Sequence, residues 1–257
     1  MHTIRIVIAG LVLALAIGQS AVHAVKPDDG RLTHEKGRLI FERSCAWCHG
    51  SEGRGDGPAA FYLGRYSSPR PRDFVQENFK FRSTASGDLP TDQDLFRTVT
   101  QGIPGYMPSF ASLSEEQRWQ VIAYVKSFNP AFKEEKPVPL PIPFPPYPSS
   151  EASVQRGREI YTKYGCQSCH GPNGRGDGPV SEAGNLQDSR GLRVQATDLT
   201  EPTSFKGGAT PGDLYRTIMT GLDGTPMPSY GDQLSEGDHN GWDLVYYILS
   251  LSSSSKR

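Results

Sequence analysis

The pentapeptide Cys-x-x-Cys-His occurs twice, as Cys45-Ala-Trp-Cys48-His49 and as Cys166-Gln-Ser-Cys169-His170. Two thiols three residues apart at the end of a helix reach the two vinyl groups of one haem, and the adjacent imidazole then meets the iron. Zinc held jointly by both pairs is one alternative. However, 117 residues separate Cys48 from Cys166, where zinc ribbons use roughly 15 to 20, and zinc gives no reason for a His after each pair. A redox-active dithiol is the other alternative, but it belongs with the alternating strands and helices of a thioredoxin-like chain, and no such pattern is present. The spacing predicts two covalently bound haem c groups, with Cys45, Cys48, Cys166 and Cys169 in thioether bonds and His49 and His170 as iron ligands.

The second axial ligand decides between electron carrier and catalyst. Met107 in Gly105-Tyr-Met-Pro-Ser-Phe110 and Met227 in Thr225-Pro-Met-Pro-Ser-Tyr230 follow their histidines by 58 and 57 residues. A thioether opposite His favours reduced iron and closes the coordination site, so Met107 and Met227 are the expected ligands. Met219 sits at helical spacing and reads as core. His34 and His239 have no counterparts in the other half and read as surface residues.

Positioning two such sites takes two similar scaffolds, and the chain repeats itself at an offset of about 120 residues. Gly37-Arg-Leu-Ile-Phe41 answers Gly157-Arg-Glu-Ile-Tyr161, and Asp94-Leu-Phe-Arg-Thr98 answers Asp213-Leu-Tyr-Arg-Thr217. Gly53-Arg-Gly-Asp-Gly-Pro58 and Gly174-Arg-Gly-Asp-Gly-Pro179 match in every letter. These loops lack the Gly-Lys-Ser/Thr ending of a phosphate loop and follow no strand, so they read as turns close to the haem, with Gly supplying unusual backbone angles. Arg54, Arg82 and Arg175 are candidates for pairing with haem carboxylates on charge alone.

Ser114 and Gln117 have capping-box spacing ahead of Val121, Ile122, Val125 and Phe128 on one helical face. Trp242, Val245, Ile248 and Leu249 repeat that face in the second copy, and Asp94–Thr100 and Asp213–Thr220 read as shorter helices stopped by glycine. Between the copies, eight prolines fall within residues 129–150, which predicts an extended polyproline strap at roughly 3.1 Å per residue. Phe144 and Tyr147 are candidates for laying it on a domain surface.

Residues 1–24 have a short basic start, an apolar run over 6–17 and the ending Val22-His23-Ala24, which predicts a secretory signal peptide cleaved after Ala24. An apolar run of 12 residues falls short of the roughly 20 that cross a bilayer, so no membrane span is expected in the mature chain. The expected organisation is signal peptide 1–24, first domain 25–129, linker 130–150 and second domain 151–257. The 257 residues carry a net charge of −1, without the basic excess of a nucleic-acid-binding protein.

Each half resembles a class I cytochrome c domain, through Cys-x-x-Cys-His near the first helix, Met-Pro in a late loop, and helices pairing Gly37/Phe41 with Trp119/Tyr124 and Gly157/Tyr161 with Trp242/Tyr246. The resemblance implies an all-α fold of two tandem class I cytochrome c-like domains, each a few short helices and long loops around a covalent haem, with its first and last helices crossing at the small Gly. One extra residue between Tyr161 and Cys166 departs from the first copy. The function expected is that of an exported dihaem electron carrier, most naturally periplasmic, that serves redox partner proteins. A dihaem peroxidase or sulfur-compound oxidoreductase, and an electron-transfer subunit of a larger complex, are the alternatives.

Overall fold

The computed structural model describes residues 30–62, 69–76, 78–234 and 240–254. The expected signal peptide and His239 lie outside them. Six helices form the first half: α1 (Arg31–Ser44), α2 (Ala46–His49), α3 (Pro58–Tyr62), α4 (Asp92–Gln101), α5 (Glu115–Lys126) and α6 (Ala131–Glu134). The second half contains α7 (Glu151–Lys163), α8 (Gln167–His170), α9 (Pro179–Glu182), α10 (Pro211–Thr220), α11 (Gly231–Leu234) and α12 (Asn240–Ser254), with a 3₁₀ turn at Pro202–Ser204; α7 to α10 and α12 repeat α1 to α5 in order. Among the described residues there is no strand, only the isolated bridges Ile103–Met107 and Gln187–Arg193.

The helices start where side chains satisfy their free N–H groups. Ser114 Oγ accepts from the Gln117 N–H at 3.1 Å while Gln117 Oε1 accepts from the Ser114 N–H at 2.8 Å. Thr91 with Asp94 and Thr210 with Asp213 do the same for α4 and α10. These two helices therefore begin two residues earlier than the expected Asp94 and Asp213.

α1 lies on α5, and α7 on α12. The close approach is made possible by glycine: a Cβ at Gly37 would overlap the Gln120 carbonyl oxygen, and one at Gly157 the Asp243 carbonyl oxygen. Phe41 then packs on Tyr124, ring centroids 5.3 Å apart, and Tyr161 packs on Tyr247 at 5.2 Å. The second pairing corrects the expected Tyr246. The crossing sets Gly157 against Asp243 and Tyr247, as Gly37 is set against Gln120 and Tyr124, which moves the register by one residue. Tyr246 instead donates to the Tyr147 carbonyl. Trp119 and Trp242 face away from the crossing and stack on Phe96 and Tyr215 at 4.3 and 4.7 Å. Met219 is buried in the second core, as its spacing predicts.

The proline strap has no helix beyond Glu134 and anchors through one of its two expected aromatics. Tyr147 donates to Asp243 at 2.7 Å, and the Leu140 N–H donates to the Ser83 carbonyl at 2.7 Å. Phe144 stays 94% exposed.

A polar seam joins the two halves. Arg82, 1% exposed, donates from Nη2 to the Thr220 carbonyl at 2.8 Å and to Asp223 Oδ1 at 2.7 Å. Asp223 also accepts from Ser86 Oγ at 2.7 Å and the Gly87 N–H at 2.8 Å. Arg82 Nε and Nη1 reach the Ala85 and Phe79 carbonyls, so the guanidinium expected to pair with a haem carboxylate is fully engaged by protein.

Candidate haem-binding sites

α1 runs almost directly into α2 and thereby presents Cys45, Cys48 and His49 on one short turn. In the second copy the extra residue is absorbed by Gly165, whose φ of 73° lets the chain turn between α7 and α8 before Cys166. All four thiols are free. Burial pushes the Cys45 thiol up to about 12, with Cys48 adding to it, and pushes Cys166 up to about 11. Burial therefore keeps both thiols protonated at neutral pH.

The repeated hexapeptides hold this turn in place. The Gly55 N–H donates to the His49 carbonyl and the Gly57 N–H to the Cys48 carbonyl, at 2.8 and 3.2 Å; Gly176 and Gly178 do the same for His170 and Cys169, at 2.8 and 3.1 Å. Gly53, Gly55, Gly174 and Gly176 all have φ near 70°, the left-handed region expected of them. A Cβ at Gly57 would overlap the Ala46 carbonyl, and one at Gly50 the Asp56 carboxylate. The recurring glycines of the two hexapeptides thus follow from a backbone cradle with no room for side chains at those positions.

Both histidines are oriented by main chain. His49 Nδ1 lies 3.1 Å from the Arg72 carbonyl oxygen and His170 Nδ1 2.8 Å from that of Thr197. An Nδ1–H donated to a carbonyl leaves Nε2 unprotonated, the tautomer a metal requires. Burial lowers the His49 pKa to about 4 and lowers that of His170, which keeps both rings neutral. The His49 ring also stacks on Phe74, centroids 4.5 Å apart. The carbonyls of Arg72 and Thr197 carry no side-chain signature, which is why sequence reasoning missed them.

Each methionine stands in a loop folded back on the preceding helix. Ile103 and Met107 exchange N–H···O bonds at 2.8 and 2.9 Å, and the Leu222 N–H donates to the Met227 carbonyl at 3.1 Å. Ser109 and Ser229 tie the loops to the Thr100 and Met219 carbonyls. In the second copy Met227, Cys166, Cys169 and His170 all line one cavity of about 1110 Å³. Its apolar wall includes Leu186, Phe205, Leu214, Ile218, Leu244 and Ile248. Two thiols, an imidazole with free Nε2 and a thioether around an apolar cavity fit a covalently attached haem. Among the described residues no group of three or more His, Cys, Asp or Glu is placed to hold a metal ion.

Arg175 lines this cavity, as do Arg193 and Lys206, whereas Arg54 pairs with Glu52 in solvent. His34 sits at the surface, 3.2 Å from Ser127 Oγ and edge-on to Tyr124.

Comparison with known proteins agrees with this geometry. Residues 33–125 match the family described as cytochrome C oxidase, cbb3-type, subunit III, and residues 154–252 match the cytochrome c family. No curated protein matches the chain. Among solved structures, a chain of the Kuenenia stuttgartiensis reducing HAO-like protein complex Kustc0457/Kustc0458 is 41% identical with a TM-score of 0.76, over 84% of this chain and 96% of that one. The chain therefore belongs to the c-type cytochromes, as an all-α dihaem member of two tandem cytochrome c domains with two covalently bound haems and a role in electron transfer.

Proposed function

We propose that the chain is an exported, periplasmic carrier of single electrons between protein redox partners, with Cys45, Cys48, His49 and Met107 holding one haem and Cys166, Cys169, His170 and Met227 the other. A c-type haem supplies, when bound, a one-electron Fe(III)/Fe(II) couple. The residues do the rest. The cysteines would hold the macrocycle, Nδ1 donation to the Arg72 and Thr197 carbonyls aims each imidazole, and the folded-back loops would supply a thioether to the iron. The observation that supports the reading is that the Cys-x-x-Cys-His turn, the imidazole held by a backbone carbonyl and the folded-back Met-Pro loop recur in both copies, since a substrate-binding iron in either one calls for a missing or displaced ligand. Among the described residues no helix is long and apolar enough to cross a membrane.

A second reading is favoured by the neighbour in the reducing HAO-like complex: the carrier works as a bound subunit of a larger oxidoreductase. Size-exclusion of native extract separates the two, because consistent co-elution with a large partner rejects the free shuttle.

The ligand assignment is tested by Met107→Ala and Met227→Ala. Each is expected to abolish the far-red absorption of one ferric haem, lower its potential and admit carbon monoxide to its reduced form, with covalent attachment intact. Retention of native spectrum and potential in either variant assigns the ligand elsewhere.

A further inference from the structure

We propose that the second domain tunes the first haem, with Arg190 and Lys206 as positioning residues for the two segments that carry the first iron's axial ligands. The inference rests on the assignment of His49 and Met107 to that iron. Behind His49, the Arg72 carbonyl accepts from Nδ1, and the neighbouring Pro71 carbonyl accepts from Arg190 Nη2 at 3.3 Å. On the other side, Tyr106 immediately precedes Met107, and the Lys206 ammonium stands 5.3 Å from the Tyr106 ring centroid, within cation–π range. Both contacts come from the second domain, each one residue from a ligand or a ligand's hydrogen-bond partner.

The first domain reaches the second site through other residues: Arg82 holds Thr220 and Asp223 ahead of Met227, Arg72 lies beside Gly224 and Tyr106 lines the second cavity. There the segment that orients His170 is tied within its own domain, the Ala196 N–H donating to Ser181 Oγ at 3.2 Å. A proline, Pro226, precedes Met227 where Tyr106 precedes Met107. The seam therefore reaches the two sites through different contacts although the domains are alike. Residues that orient ligands from outside the coordination sphere typically change metal properties without touching the metal.

The test uses the full matured chain in a Met227→Ala background, so that the remaining far-red band reports the first iron alone. Imidazole is the probe, because it competes with Met107 for ferric iron. In Arg190→Ala combined with Lys206→Met, imidazole is expected to bind roughly tenfold more tightly, about 1.4 kcal/mol, with the far-red band fading at correspondingly lower concentration. Lys206→Arg, which keeps the cation over Tyr106, is expected to retain the parental value. Unchanged imidazole affinity in the double variant overturns the inference, as does an equal change in Lys206→Arg. The two single variants give the same reading should the double variant fail to mature. Absence of the far-red band in the Met227→Ala parent faults the Met107 assignment itself and takes the inference with it, whereas a band present and unmoved faults only the seam.

Discussion

Asp94 shows how far a single side chain organises each domain. Its Oδ2 accepts from the backbone N–H and hydroxyl of both Ser83 and Thr91 at 2.8 to 2.9 Å, and its Oδ1 pairs with Arg97 at 2.8 Å. Burial by itself raises the pKa of this carboxyl; the hydrogen bonds from Ser83 and the Arg97 charge outweigh it and hold it below 3.8. Asp213 is depressed in the same way, with Arg216 and Thr210 opposing burial. A carboxyl whose folded pKa lies below its unfolded one contributes stability that is complete above the unfolded value and is lost as pH falls through the folded value. Acid unfolding below about pH 4 is therefore expected to draw on both residues. Asp94→Asn should cost about 2–4 kcal/mol at neutral pH and flatten the acid limb of stability against pH, measured by urea unfolding between neutral pH and pH 3. An acid limb unchanged in this variant assigns the pH dependence to other groups.

At the scale of elements, the helix crossings make the sharpest demand on residue type. Gly37→Ala and Gly157→Ala each drive a methyl group into a backbone carbonyl of α5 or α12. Neither carbonyl can retreat without moving its helix, so a loss of about 1–3 kcal/mol or more is expected. Gly212, in the first turn of α10, has nothing within 4 Å of an added Cβ; Gly212→Ala should instead stabilise by about 0.4–1 kcal/mol. Urea unfolding of the three variants checks both signs, and a neutral Gly37→Ala contradicts the crossing. These elements were legible in the sequence because their causes are local. Ser114 with Gln117 marks the start of α5, Gly102 and Gly221 mark the stops of α4 and α10, and the repeated hexapeptide marks the cradle. The Tyr247 pairing was not legible, since two tyrosines adjacent in α12 differ only in which face meets α7. The exposed Phe144 was not legible either, because hydrophobicity says nothing about the direction in which an extended strap turns a ring.

The molecule as a whole depends on contacts that no local pattern announces. Arg82 and Asp223 are 141 residues apart, and neither belongs to a repeated motif, so the seam appears only when both copies have folded. Burial and then the Arg216 charge lower the pKa of Arg97. Arg82 is the buried cation that needs a partner: burial lowers its pKa and Asp223 opposes the shift. With side chains only 0% and 9% exposed, the pair is shielded from salt, so added salt should screen it less than a surface pair. Asp223→Ala leaves the guanidinium with carbonyl acceptors but no counter-charge, and should cost about 3 kcal/mol, or about 6–12 °C in the midpoint of a chain this long. Because the loss falls on the junction, thermal unfolding followed by haem absorption and by helical circular dichroism should split into two steps where the parent shows one. Arg82→Met with Asp223→Leu replaces the pair by apolar groups of similar size and should recover much of the midpoint. A single, unshifted transition in Asp223→Ala means that the strap and the helix faces hold the domains together without the ion pair. In that case Arg190 and Lys206 remain against the first domain, and the tuning of its haem survives the loss of Asp223.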